Sequence, residues 1–332
     1  MVKNSRRNFI KKLFLLSQSL LLPQNLISNH YSKKNLDIAL QVYSFAPELL
    51  QGKFQILDFP RIIRNDYNIS GAEYWSIAFL GKEKDNEFIK SLRNNSKEFG
   101  VDNLIILVDN IDIQTMKSGP SLASSIKTER DSAIDFHKQW VEVAKEIGCH
   151  SIRVNLRSKE DDNKKILDNS SKSLHELIEF SKNYKINIVV ENHGGITGDA
   201  DWMVDLMENI NSKYLGTLPD FGSSNFCVNK GELDLEGITN RCENQYDKYD
   251  GVTKLMPYAK GVSAKSHNFN EEGEELSTDF SRMIKIISES DYDGYITIEY
   301  EGAIMSMYGQ GENYLNSNEG IIATKKLIEK YL

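Results

Sequence analysis

The chain has 332 residues, of which 40% are hydrophobic, so it can bury one large core or two ordinary ones. Its 48 acidic and 40 basic residues give a formal net charge of −8, and a surface of that sign repels polyanions. We therefore expect no nucleic-acid partner, and since no apolar run reaches the roughly 20 residues that cross a bilayer, no stable membrane span either.

The first 32 residues are typical of an export signal. A basic head at residues 5–12, Ser-Arg-Arg-Asn-Phe-Ile-Lys-Lys, precedes short apolar stretches at 13–16 and 20–22. The head resembles the twin-arginine motif, which directs folded proteins out of the cytoplasm. The alternative is a basic amphipathic helix. We expect residues 1–32 to be a twin-arginine signal peptide and the protein to be periplasmic, or cytoplasmic if the alternative holds.

From residue 36 onward, short β-branched apolar runs alternate with longer segments of helical period. This alternation predicts parallel strands joined by crossover helices, and apolar runs of this kind are typical of strands buried on both faces. Eight repeats predict a single α/β domain, a (β/α)8 TIM barrel over residues 36–332. The predicted strands are 38–44, 71–75, 103–108, 151–155, 186–191, 214–220, 261–265 and 295–300.

Several intervening segments have the apolar period of helices. Residues 130–148 place their apolar side chains mainly on one face and end in Gly148, which predicts a helix with a glycine C-cap. The rival fold, an open doubly wound sheet, requires a Gly-rich phosphate loop, and Gly194-Gly195 lacks the GxGxxG spacing. Polar residues 229–252 predict a loop or short-helix insertion over the active-site face.

The three cysteines carry little information by their spacing. Cys149, Cys227 and Cys242 form no CxxC pair, and their odd count predicts neither a zinc cluster nor a disulfide framework. We expect them to be small residues in the core or near the surface.

Residues that can carry chemistry end four predicted strands, and in a barrel such ends gather at one mouth. Glu191 ends the fifth strand, Asp220 the sixth and Glu299 the eighth, while Lys265 and His267 follow in the seventh. One such carboxylate is usually a solvated loop residue or a helix-cap partner, but their coincidence favours a site. Three neighbouring carboxylates would repel one another unless a divalent cation such as Mn²⁺ or Mg²⁺ joined them.

Four strings at these ends resemble one family: Val-Val-Glu-Asn-His-Gly-Gly, Pro-Asp-Phe-Gly, Ala-Lys-Ser-His and Ile-Glu-Tyr-Glu-Gly. They resemble the xylose isomerase-like barrels of the sugar phosphate isomerase/epimerase group, which includes the type-two apurinic endonucleases. The resemblance implies one metal (Mn, Mg, Co or Zn) held by Glu, Asp, His and Glu, with both glutamates moving protons between adjacent sugar carbons. Glu191, Asp220 and Glu299 then fall on the carboxylate ligands.

The seventh strand departs from this pattern. When the strand is aligned on Lys265, the position of the usual histidine ligand is Ser263, a poor ligand. The nearby imidazole is His267, which a regular strand would place on the same side as Ser263 and Lys265. We therefore expect the fourth ligand to be either His267 or water.

Other strand ends supply candidate substrate-binding residues. His193 follows Glu191 as a hydrogen-bonding group or a plain loop histidine, and Arg153 and Asn155 could fix a substrate or form a strand-end salt bridge. Trp75 could stack on a sugar ring or simply line the barrel. The further candidates of this kind are Glu73, Gln41, Tyr43 and Asp109.

Together these residues predict a metal-dependent sugar or keto-sugar isomerase or epimerase. Glu191 and Glu299 would act as base and acid through an enediolate, and Lys265 would stabilise its oxygen. A keto-glycoside lyase with the same site and a sugar-binding barrel without catalysis remain alternatives. Nuclease activity is disfavoured, because those relatives hold three metals with several histidines and this chain has six histidines in all. The sugar, its phosphorylation and a homo-oligomeric state remain open.

Overall fold

The computed structural model describes residues 36–112, 115, 117–228, 242–310 and 313–332. The predicted export signal at residues 1–32 lies outside these residues, as does the first part, 229–241, of the predicted insertion after the sixth barrel strand.

Eight parallel strands form one sheet, in the order β8-β7-β6-β3-β2-β1-β10-β9. All eight predicted strands are confirmed, with ends that differ by up to three residues. The short antiparallel pair formed by β4 and β5 was not predicted. The strands are β1 Asp37–Gln41, β2 Gly71–Trp75, β3 Asp102–Leu107, β4 Ile111–Asp112, β5 Lys117–Ser118, β6 Ser151–Val154, β7 Asn187–Glu191, β8 Leu215–Leu218, β9 Val262–Ser266 and β10 Tyr295–Tyr300.

Helices alternate with these strands, and several of them begin with an aspartate cap. The caps Asp85, Asp162, Asp199 and Asp247 each accept hydrogen bonds from two backbone N–H groups of the first helical turn. Gly148 has a φ of 94° and ends α4, as predicted. No described helix is long and apolar enough to cross a membrane. The helices are α1 Ala46–Leu50, α2 Phe59–Tyr67, α3 Asn86–Glu98, α4 Lys127–Ile147, α5 Asn163–Ser181, α6 Ala200–Ile210, α7 Lys248–Leu255, α8 Phe280–Glu289, α9 Gly302–Met307 and α10 Ser317–Tyr331.

The two edges of the sheet, β8 and β9, meet along a seam of separate contacts. Isolated bridges pair Thr217 with Ala259 and Asp220 with Ser263. The Ser263 N–H donates to the Pro219 carbonyl at 2.9 Å. These contacts curl the sheet on itself, in agreement with the predicted (β/α)8 barrel, and they bring Asp220 beside β9.

Apolar side chains fill both faces of the sheet. A large core lies between the strands and the surrounding helices. A smaller buried cluster, which includes Ile105, Val189 and Leu218, occupies the barrel interior. Because each such side chain contributes roughly 1.5–3 kcal/mol when buried, the barrel is a packed body with its polar groups confined to a few positions.

Two of the three cysteines form a disulfide, so the prediction for them is wrong. Cys227 and Cys242 are joined with an S–S distance of 2.06 Å, and Cys149 is free and buried. The odd count concealed a pair that is 15 residues apart. The crosslinked turn also holds the loop after β7, since the N–H groups of Gly194 and Gly195 donate to the carbonyls of Asn225 and Cys227, each at 2.9 Å.

Candidate active site

Three buried carboxylates meet at the C-terminal ends of the strands. Glu191 is the last residue of β7, Asp220 follows β8 by two residues, and Glu299 is the penultimate residue of β10. One oxygen of each lies within 4.8 Å of the others. Their exposed fractions are 1%, 0% and 5%. The predicted convergence of the three side chains, the carboxylate cluster, is therefore observed.

Burial makes the charged state of this cluster costly. It raises the pKa of Glu191 to about 7, although the Arg153 guanidinium opposes that rise. Burial also raises the pKa of Asp220 well above its usual range, against the opposing effect of Lys265. Carboxylates with such values either keep protons near neutral pH or need a further positive charge.

Lys265 supplies one positive charge directly to the cluster. Its Nζ lies 3.2 Å from Asp220 Oδ2 and 3.4 Å from Glu299 Oε1. A third carboxylate oxygen, Oε1 of Glu301, lies at 3.1 Å. Burial lowers the pKa of Lys265, but the attraction of these carboxylates outweighs it and the pKa is raised well above its usual range. The side chain is therefore an ammonium ion at neutral pH.

A second ion-paired group lies on the side of β3 and β6. Arg153 Nε lies 2.8 Å from Glu191 Oε2, and its Nη1 donates to Asp109 Oδ1 at 2.6 Å. The same carboxylate of Asp109 accepts from Asn155 Nδ2 at 2.9 Å and from Trp75 Nε1 at 2.8 Å. Burial raises the pKa of Asp109, but the Arg153 guanidinium outweighs this effect, and the pKa lies below its usual value. Asp109 thus brings three predicted candidates together.

The structure does not place His267 in the carboxylate cluster, and its role as a metal ligand stays a prediction. β9 ends at Ser266, so the regular alternation stops one residue earlier, and His267 Nε2 lies 3.1 Å from Oε2 of Glu301. The hydroxyl of Ser263 instead donates to Glu299 Oε2 at 2.5 Å. β9 therefore supplies a hydroxyl and an ammonium where the family pattern has an imidazole.

A cavity of about 210 Å³ opens beside the cluster. This volume is below the range usual for drug-sized ligands and suits a small molecule. Among the described residues, Glu191 and Asp220 are not part of its wall. Its polar lining is Gln41, Tyr43, Trp75, Asp109, Arg153, His193, Ser224, Asn225, Lys265, Glu299, Glu301 and Tyr308.

Sequence reasoning missed four of the polar lining residues: Ser224, Asn225, Glu301 and Tyr308. Glu301 is two residues beyond Glu299, and the period of a strand could have placed both on one side. Asn225 lies in the turn after β8 and is 1% exposed, with its Nδ2 unpartnered among the described residues. No pattern in the sequence distinguishes this asparagine from an ordinary loop residue.

Glu73 lies below the site and does not line its cavity. It is 1% exposed, and its Oε1 accepts from Thr297 Oγ1 at 2.9 Å. Burial raises its pKa to about 8, against the effect of the Thr297 hydrogen bond. It borders another cavity, of about 890 Å³, whose wall includes Gly261 and Tyr295 at the N-terminal ends of the strands. Glu73 therefore lies away from the described wall of the smaller cavity, and its contact with substrate stays a prediction.

The donor set of the cluster fits a hard divalent cation. Glu191 Oε2 and Asp220 Oδ2 are buried and have no hydrogen-bond partner within the described part of the chain. Each faces a cationic side chain, Arg153 or Lys265, but the acidic groups Glu299 and Glu301 add further negative charge. Carboxylate oxygens in this number suit Mg²⁺, Mn²⁺ or a similar ion.

Comparison of the sequence identifies a family. Residues 69–327 match the family model described as "Xylose isomerase-like TIM barrel". An uncharacterised protein of Methanocaldococcus jannaschii is 27% identical over 138 residues, which are 40% of this chain and 43% of that protein. This match thus spans less than half the length of the relative.

Solved structures with the same fold include two sugar epimerases. A D-allulose 3-epimerase from Methylomonas sp. is 12% identical with a TM-score of 0.61, and the match covers 90% of this chain and 99% of that one. A 3-keto-D-glucoside 4-epimerase from E. coli is 14% identical with a TM-score of 0.59, covering 88% and 98%. The IOLI protein, solved with a zinc atom, is 12% identical with a TM-score of 0.57, covering 90% and 99%.

Proposed function

The chain belongs to the xylose isomerase-like TIM-barrel family, and from this premise we propose that it is a divalent-metal-dependent isomerase or epimerase of sugars or keto-sugars. The observation that carries the proposal is the convergence of one carboxylate oxygen each from Glu191, Asp220 and Glu299 within 4.8 Å, beside a small cavity. The sugar epimerases among the proteins of like fold support this substrate class.

The metal would be held by Glu191, Asp220 and Glu299. When bound, such an ion polarises a carbonyl group and makes the neighbouring C–H bond more acidic. The oxygen donors suit Mn, Mg or Co, and the zinc atom in the IOLI protein keeps Zn among the candidates.

Glu191 and Glu299 would move the protons. One takes a proton from the carbon next to the substrate carbonyl, and the other returns a proton after an enediolate has formed. Lys265, as a buried ammonium, would stabilise the negative charge that develops on the enediolate oxygen.

The cavity wall supplies groups for carbohydrate binding. Arg153 and His193 would hydrogen bond to substrate oxygens, and Asn225 offers an unpartnered amide within the described structure. Trp75 packs edge to face against Tyr43, with ring centroids 4.9 Å apart, and would stack on the apolar face of a sugar ring.

Elimination from a keto-glycoside is the second candidate function. It uses the same proton removal, and the fold it shares with a 3-keto-D-glucoside 4-epimerase favours a keto-glycoside as its substrate. A barrel that binds sugar without turnover is the third, since Ser263 replaces a metal-binding histidine.

We also propose that the protein works outside the cytoplasm, in the periplasm. The Cys227–Cys242 disulfide supports this location, because such bonds persist in oxidising compartments and are rare in the cytosol. The twin-arginine-like segment at residues 5–12 points the same way.

Hydrogen exchange tests the proposed chemistry. Purified protein with Mn²⁺ is incubated in D₂O with a panel of keto-sugars and keto-glycosides, and NMR follows loss of the α-hydrogen. Glu191→Gln and Glu299→Gln should abolish exchange while the fold stays intact, whereas Glu329→Gln on the exposed face of α10 should retain it. Exchange retained in both site variants would refute the assignment. Release of an aglycone would indicate the lyase, and affinity without exchange or product would indicate the binding protein.

A further inference from the structure

We propose that the Lys265 ammonium is the resident counter-ion of the carboxylate cluster, which stabilises the cluster without metal and limits how tightly a divalent metal binds. The inference rests on the proposed function, because the divalent metal is part of it. It adds a role for Lys265 that precedes any contact with substrate.

Lys265 contacts two of the three carboxylates that would hold the metal. Its Nζ lies 3.2 Å from Asp220 Oδ2 and 3.4 Å from Glu299 Oε1. The side chain is 4% exposed. Its stem passes over Gly222, where an added Cβ would lie 2.8 Å from Lys265 Cδ. Glycine at this position thus leaves room for the methylene chain of the lysine. The surrounding backbone and carboxylates hold the ammonium in place.

The other oxygens of these two carboxylates are also engaged. Asp220 Oδ1 accepts from the Gly222 N–H at 2.5 Å, and Glu299 Oε2 accepts from the Ser263 hydroxyl at 2.5 Å. Ser263 stands opposite Asp220 in the seam between β8 and β9. A divalent ion would therefore share these carboxylates with two hydrogen-bond donors and with the ammonium.

Lys265 also joins the cavity wall to the most deeply buried carboxylate of the cluster. It lines the cavity, and it contacts Asp220, which is fully buried and is not part of the cavity wall as the structure describes it. The ammonium therefore contacts both the cavity and the buried carboxylate of Asp220, while Glu299 is itself part of the cavity wall.

Removal of the ammonium changes the charge balance in a defined direction. Positive charges a few ångströms apart repel each other strongly in a buried site. Without Lys265, the carboxylates also lose their compensation, which is a large cost unless another cation replaces it. The variant protein should therefore bind metal more tightly and depend on it more for stability.

The test compares the wild-type chain with Lys265→Met and with Lys260→Met. Lys260 lines the cavity at the opposite end of the barrel, so the second variant removes the same charge away from the cluster. Each protein is stripped with EDTA and titrated with Mn²⁺ by calorimetry, and its thermal unfolding is followed with EDTA and with Mn²⁺. Lys265→Gln, a polar neutral variant, is measured in parallel in case Lys265→Met does not fold without metal.

Lys265→Met and Lys265→Gln should bind Mn²⁺ at least about tenfold more tightly than wild type. They should also gain more in unfolding temperature from Mn²⁺, while Lys260→Met behaves as wild type. Equal or weaker affinity in both Lys265 variants would overturn the inference alone. Absence of Mn²⁺ binding in all four proteins would overturn both the inference and the metal requirement of the proposed function.

Discussion

Replacement of Glu73 by Gln should stabilise the protein at neutral and alkaline pH. Glu73 is 1% exposed, and its Oε2 has no hydrogen-bond partner among the described residues. Burial raises its pKa to about 8 from an ordinary value of 4.5. Gln keeps the shape and the oxygen that accepts from Thr297, but it has no proton to lose.

The sign and the size follow from proton linkage. Between pH 4.5 and about 8 the folded chain holds a proton on Glu73 that the unfolded chain has lost, so stability falls as the pH rises. One pKa unit corresponds to 1.36 kcal/mol, so at pH 7.5 the loss for the wild type reaches about 4 kcal/mol. Glu73→Gln escapes this loss, and its stability relative to wild type should rise by up to that amount between pH 4.5 and pH 7.5.

Urea unfolding of both proteins, followed by tryptophan fluorescence at half-unit steps of pH, measures this difference. Glu98→Gln, at an exposed position of α3, is the matched control for the chemical change without burial. If the difference between Glu73→Gln and wild type stays constant across the pH range, Glu73 is ionised in the folded protein and the reasoning about its burial is wrong.

Two further changes test contacts of the site. Ser263→Ala removes the 2.5 Å hydrogen bond to Glu299, and a bond to a charged group contributes about 2 kcal/mol, so the urea midpoint should fall. Ser173→Ala removes a buried hydroxyl that has no partner among the described residues, so it should leave the midpoint unchanged or raise it. An equal fall of the midpoint in both variants would contradict the argument. Serine at Cys227 and Cys242 should lower the unfolding free energy by about 3 kcal/mol, since the crosslink spans 15 residues; an unchanged urea midpoint in non-reducing buffer would count against this.

The sequence predicted the strands well because their information is local. Runs such as Val189-Val190 before Glu191 are apolar on both faces and are bounded by polar loops, so position and type are readable without the fold. The short pair β4 and β5 has two residues in each strand and carries no such pattern. The Cys227–Cys242 bond was missed because pairing depends on distance in space, which the sequence spacing does not reveal.

The sequence could predict those site residues whose positions are determined by the C-terminal end of a strand. Glu191, Asp220 and Glu299 meet because parallel strands bring their C-terminal ends to one mouth. The place of His267 depends on where β9 stops, and a shift of one residue sends its side chain toward Glu301. Such terminal details are set by tertiary contacts, and periodicity does not encode them.

Tertiary contacts also explain why Glu73 lies away from the other candidates at the strand ends. Glu73 was expected at the C-terminal end of β2. Its buried carboxyl instead accepts a hydrogen bond from the Thr297 hydroxyl and borders the cavity at the N-terminal ends of the strands. A bulge between Ala72 and Glu73 shifts the register with β3 at this point. Sequence alternation alone gives no sign of such a shift.

The crosslink at Cys227 makes the oxidation state of a preparation an experimental variable. The turn that carries it accepts the backbone bonds of Gly194 and Gly195, and these glycines directly follow His193 on the cavity wall. Protein made in a reducing cytosol and protein recovered from an oxidising compartment are therefore different starting materials for any assay of sugar binding. Thiol reagents in purification buffers would alter the support of one side of the cavity before the first substrate is added.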